Sequence, residues 1–64
     1  MELKKLRYLR AAEGLSQDQI ALIANVSQAK ISRAERGFAK LSPEEQERIA
    51  GIFNCESKEL FPKQ

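Results

Sequence analysis

Residues 16–37 read SQDQIALIANVSQAKISRAERG, and this stretch decides the fold. Ser16 with Gln19 three residues later is a capping box, each side chain satisfying a backbone N–H that the helix leaves open. A helix therefore starts at Gln17. Ile20, Ala21 and Ala24 give it an apolar face that includes small residues, so a second helix can approach closely. Asn25-Val26-Ser27 breaks it, because Asn is one of the few residues besides Gly that tolerate left-handed backbone. Ser27 can cap a second helix, and Gly37 closes that helix as the residue just past its end. The two helices are joined by a turn too short to flex, so the question passes to what the second one presents.

At ~100° per residue, with Gln28 at zero, Ser32, Arg36, Ala29 and Arg33 fall within about the next 140°. Ile31, Ala34 and Glu35 fall outside that arc, and Lys30 lies near its boundary. One face is thus apolar apart from a single carboxylate, and the other is a stripe of Gln, Ser and two Arg around one Ala. Gln can bond an adenine edge through two hydrogen bonds, Arg can bond guanine O6 and N7, and an Ala methyl packs on a thymine methyl. An ordinary solvated face would also be polar, so the stripe alone leaves both readings open.

Net charge is only +2, but its distribution is uneven. Residues 1–40 carry eight basic and four acidic side chains, an excess of +4, and residues 41–64 carry three and five, an excess of −2. The basic part holds the paired helices, and such an asymmetry steers a polyanion to one face. Sixty-four residues make one small domain, 1–64, near the lower limit for a core without staples. One Cys and no His leave no disulfide within the chain and no ordinary zinc site, so no metal or cofactor is expected. With no phosphate-cradling Gly loop either, the chain is not expected to be an enzyme. No apolar run approaches a membrane span, and the Lys-rich start lacks a signal-peptide core, so a cytoplasmic protein is expected.

The remaining segments read as scaffold. Leu3, Leu6 and Leu9-Arg10 give a first helix an apolar stripe that ends near Gly14. Ser42-Pro43-Glu44-Glu45 starts another helix, with a Ser cap, Pro at the first helical position and Glu at the third. Ile49, Ile52 and Phe53 supply its buried face. Ser57 is expected to cap a final turn containing Leu60 and Phe61, which Pro62 follows.

In this order and spacing, the chain resembles the helix-turn-helix DNA-binding domains of the phage repressor and Cro family, also called the xenobiotic-response-element family. The resemblance rests on Ser16-Gln17, Ile20-Ala21, Val26-Ser27, Ile31-Ser32 and Glu35 followed by Gly37. It runs through Leu6–Leu15 as the first helix, Gln17–Arg36 as the pair, and Ile49–Phe61 as the last two. It implies a compact, five-helix, all-α lambda-repressor-like domain that binds double-stranded operator DNA, usually as a homodimer. Such a dimer would read half-sites about one helical turn apart through the major groove. Position by position, it implies base reading by Gln28, Ala29, Ser32 and Arg33, and phosphate binding by Gln17, Ser27, Lys30, Arg36 and Lys40. It also implies a buried ion pair between Arg10 and Glu35, since a carboxylate on an inward helix face is expensive unless paired. Asn54, Lys58 and Phe61 mark the expected dimer interface, and Cys55 falls at an apolar position that implies a buried thiol.

The chain departs from the family at three places. Asn25 replaces a turn Gly, and Glu13 stands where an apolar residue is common. Leu22 and Ile23 occupy positions that are often polar, and they are expected to deepen packing against a neighbouring helix; the alternative is an apolar patch for a protein partner. The reading is a transcriptional regulator, a repressor in the sense the family implies. The runner-up is an interaction module of the same fold, an antirepressor or antitoxin-like protein with little operator binding of its own.

Overall fold

The structure is a computed structural model that describes residues 3–62. Among these residues five helices follow one another: α1 Lys4–Ala12, α2 Gln17–Ala24, α3 Gln28–Glu35, α4 Pro43–Ile52 and α5 Ser57–Leu60. There is no strand among them, and the fold is all-α. Each helix contributes one large apolar side chain to the centre. Leu6, Ile20, Ile31, Ile49 and Leu60 are all at most 1% exposed, and together they form the middle of the core. Ala24 and Ala34, also fully buried, let backbones approach where a larger residue would hold them apart. α2 packs on α3 and α4, α1 on α3 and α5, and α4 on α5.

The caps act as local chemistry dictates. Ser16 Oγ accepts the Gln19 N–H at 3.1 Å, and Gln19 Oε1 accepts the Ser16 N–H at 2.8 Å. Ser42 and Glu45 repeat the device at α4, at 3.1 and 2.8 Å. Asn25 ends α2 in left-handed backbone, φ 57° and ψ 47°, and so turns the chain into α3 within three residues. Arg48 from α4 secures that turn, its Nε donating to the Ala24 carbonyl at 2.7 Å. A carbonyl at the end of α2 thereby gains the partner that the helix itself cannot supply.

Three expectations are corrected. α1 runs Lys4–Ala12 rather than the Leu6–Leu15 that the resemblance implies, its end close to the expected Gly14: Gly14 takes φ +70° and the Leu15 N–H turns back to the Arg10 carbonyl at 2.8 Å. Glu56, not Ser57, is the residue that caps α5, and its N–H donates to Glu59 Oε1 at 3.3 Å. Leu22 and Ile23 do not deepen the packing: they are 84% and 58% exposed. Ile20, Ala21 and Ala24 already fill the stripe of α2 that meets its neighbours, and the two larger residues face outward.

The inward carboxylate of α3 is the feature that orients the fold. Glu35 is 1% exposed, and Arg10 meets it side-on. Nε donates to Oε2 at 2.8 Å and Nη2 to Oε1 at 3.1 Å, while Nη1 bonds the Leu15 carbonyl at 3.1 Å. The Glu35 carbonyl also accepts the Leu3 N–H at 2.9 Å, so backbone and side chain both tie the end of α3 to α1. Breaking such a pair from one side strands a buried charge. Arg10→Met alone should therefore destabilise the domain by about 3–5 kcal/mol, read as a lower urea midpoint. Adding Glu35→Leu should recover much of that loss, because no charge then stays buried. An Arg10→Met midpoint equal to wild type would show that Glu35 does not depend on the pair.

Candidate nucleic-acid interface

Gln28 opens α3 and is exposed, yet its amide is already held. Its Nε2 donates to Gln17 Oε1 at 2.7 Å, and Gln17 Nε2 donates to Glu35 Oε1 at 2.9 Å. Glu35 is in turn gripped by Arg10. The result is a continuous chain, Arg10–Glu35–Gln17–Gln28, that runs from the partly buried ion pair to the surface. Glu35 lies seven residues beyond Gln28, two turns along nearly the same edge of α3 and about 10 Å away. That gap is too long for a direct bond, and Gln17 at the start of α2 spans it. With its Nε2 used, Gln28 keeps its own carbonyl oxygen and the second amide hydrogen for a ligand.

Ala29 and Arg33 are exposed and Ser32 is half-buried on the same side of α3, whose other side is closed by Ile31, Ala34 and Glu35. Ser27 Oγ caps the helix, accepting the Lys30 N–H at 3.1 Å. The far end closes through two backbone bonds, Gly37 N–H to the Ala34 carbonyl at 3.0 Å and Phe38 N–H to the Arg33 carbonyl at 2.8 Å. Gly37 sits at φ +85°, as this type of helix ending requires. The residue after that glycine usually folds back onto the helix. Here Phe38 stays 76% exposed, with the Arg36 guanidinium 5.8 Å from its ring centre. Lys40 is exposed in the loop that follows.

Of the residues expected to meet phosphates, Arg36 and Lys40 reach the surface near the end of α3. Gln17 is instead a bridge within the protein as far as its side chain goes; its backbone N–H, in the first turn of α2, has no helical acceptor. Lys30 is also occupied, its Nζ lying 2.9 and 3.2 Å from the two oxygens of Glu45 on α4. The Ser42 N–H and Lys30, in that order, hold the Glu45 carboxyl below its ordinary range. Gln17 as a bridge, Glu45 as the partner of Lys30 and Arg48 as the donor to the Ala24 carbonyl are not read from the sequence.

Between α4 and α5 and on α5, Asn54 and Lys58 are exposed, Asn54 in left-handed backbone at φ 53°. Phe61 corrects its expectation. It is 2% exposed within the single chain, part of its own core beside Leu60, so its ring is not available to a second copy. Leu60 at the end of α5 and Phe61 just past it both turn inward, where α5 packs on α1 and α4. Cys55 is half-buried with Sγ 3.9 Å from the Ala50 carbonyl, and burial pushes its thiol up. Among the described residues, no group of His, Cys, Asp and Glu is placed to hold a metal ion, and no helix is long and apolar enough to cross a membrane.

Residues 4–60 match the family model described as a helix-turn-helix domain. The chain is also similar to the competence pilus inhibition repressor of Acinetobacter baylyi, with 34% identity over 58 residues. That alignment takes in 91% of this chain and 53% of the relative, so the chain spans about half the length of the curated relative it matches. No solved structure matches. A family match over nearly the whole chain, a repressor among its relatives and the α2–turn–α3 geometry agree: the chain belongs to the helix-turn-helix domain family, in keeping with its repressor and Cro-like members.

Proposed function

We propose that this chain is a sequence-specific transcriptional regulator that inserts α3 into the major groove of double-stranded DNA and represses by occupying an operator. The observation that carries the reading is the held amide of Gln28. A base-reading side chain gains selectivity when its position is set before the ligand arrives, and the bonds through Gln17 to Glu35 set this one. Ala29, Ser32 and Arg33 lie beside it as the other base-reading residues. Ser27, the first backbone N–H groups of α2, Arg36 and Lys40 bind phosphates around them, which fits the open donors and partial positive charge of helix N-termini. Phosphates then supply most of the affinity and bases the sequence choice.

One α3 spans only a few base pairs, so two copies related by a two-fold axis read a palindrome. Asn54 and Lys58 are the exposed residues of the expected interface. The protein acts in the cytoplasm, where its DNA is, and carries out no chemistry of its own. The repressor role draws support from the name of the Acinetobacter relative. A second reading, a protein-interaction module on the same fold, is favoured by the exposure of Leu22, Ile23 and Phe38.

Selection from a random-sequence duplex pool separates the two. The regulator reading expects an enriched palindrome with half-sites about one helical turn apart. It also expects binding that weakens linearly on a log–log plot against salt. No enriched sequence, together with salt-insensitive capture of a protein, would overturn it. On the selected site, Arg33→Ala should relax one position at about 1–3 kcal/mol, whereas Lys40→Ala should weaken selected and random DNA alike. Equal losses on both DNAs for Arg33→Ala would contradict its place among the base readers.

A further inference from the structure

Lys30 sits on the first turn of α3, one residue past Ala29, at the edge of the exposed stripe. A cation there, on the flank of a helix lying in a groove, is within side-chain reach of the phosphate wall. Its ammonium is not free to go there. Glu45 takes it with both oxygens, at 2.9 and 3.2 Å, and Glu45 is itself immobilised by the Ser42 N–H at 2.8 Å as part of the α4 capping box. The Glu45 side chain is 18% exposed and that of Lys30 36%, so the contact is shielded from solvent on the carboxylate side. The other carboxylate in the first turn of α4, Glu44, is bonded to Arg48 at 2.9 Å and does not compete for Lys30.

We propose that Glu45 holds Lys30 off the DNA backbone and thereby lowers sequence-independent affinity and its salt dependence. The proposal rests on the DNA-binding reading above. Each phosphate neutralised by a protein cation steepens the salt dependence by about 0.9 on the log–log plot and strengthens binding to any sequence. Withholding one such contact weakens random DNA and operator alike, so it sets how tightly and how salt-dependently the domain holds any duplex and leaves the ratio between sites unchanged. The recognition helix then meets DNA with Arg33 and Arg36 as its working cations. Glu45 acts through Lys30 and does not itself touch the ligand.

The test uses the full chain and a 30-base-pair duplex of random sequence, titrated across a salt series. Glu45→Gln is the informative variant, because Gln keeps an oxygen for the Ser42 N–H and so preserves the cap. Releasing Lys30 should steepen the log–log slope by about 0.9, equivalent to about a 3.5-fold larger fall in affinity between roughly 50 and 200 mM salt. Affinity for random DNA at low salt should rise by a similar or larger factor. Adding Lys30→Met to Glu45→Gln should return slope and affinity close to wild type, a reversal that a purely structural role for Glu45 would not give. An unchanged slope in a folded Glu45→Gln variant, checked by circular dichroism, would overturn the proposal. A steeper slope that persists in the double variant would also overturn it, by showing that the carboxylate acts on DNA directly. If wild type shows no salt-dependent binding at all, the DNA-binding reading fails, and this proposal with it.

Discussion

A carboxylate that must be buried is the constraint on which the rest of the structure depends. Glu35 lies at the end of α3, turned toward the core, where an unpaired charge would cost several kcal/mol. Arg10 on α1 and Gln17 on α2 satisfy it from two sides, so one side chain registers three helices against each other. Replacing the whole set by apolar residues of like volume is often neutral for stability. The contribution of the set is therefore placement. It fixes the angle at which α3 stands on α1, and through Gln17 it carries that placement to Gln28 at the surface.

Placement of this kind explains why so small a domain can present a defined surface. The central core takes one large residue from each helix, enough to hold the helices together. Apolar contact is non-directional, however, and tolerates small rotations of one helix on another. The bonds at Glu35 and the Arg48 contact to the Ala24 carbonyl do not, since hydrogen bonds weaken steeply as they bend. Directional contacts therefore surround the α2–turn–α3 unit, and the fit of α3 to a groove would vary less than the apolar core alone allows.

Much of the fold was legible in the chain because it is written in local chemistry. Ser16 and Gln19, Asn25, and Ser42-Pro43 with Glu45 each act on neighbours a few residues away, so their spacing alone announces helix starts and stops. The stripe of α3 was legible for the same reason, since periodicity is a local property. What sequence reading missed depends on where distant segments meet. Gln17 reaches Gln28 and Glu35 across 11 and 18 residues, and Lys30 reaches Glu45 across 15. Leu22 and Ile23 are apolar yet exposed, because apolar character alone does not decide burial. Phe61, just past the end of α5, is buried in the core of its own chain, a contact that local spacing does not announce.

The buried ion pair, acting through Gln17, orders Gln28 before any DNA is present. Side-chain amide ¹⁵N relaxation of the free protein measures this directly, since it reports the order of each glutamine amide on the ps–ns timescale. The account predicts a well-ordered Gln28 amide in the wild-type chain and a clear loss of order in Gln17→Ala, with the backbone of α3 unchanged. A Gln28 amide equally mobile in both proteins would contradict it.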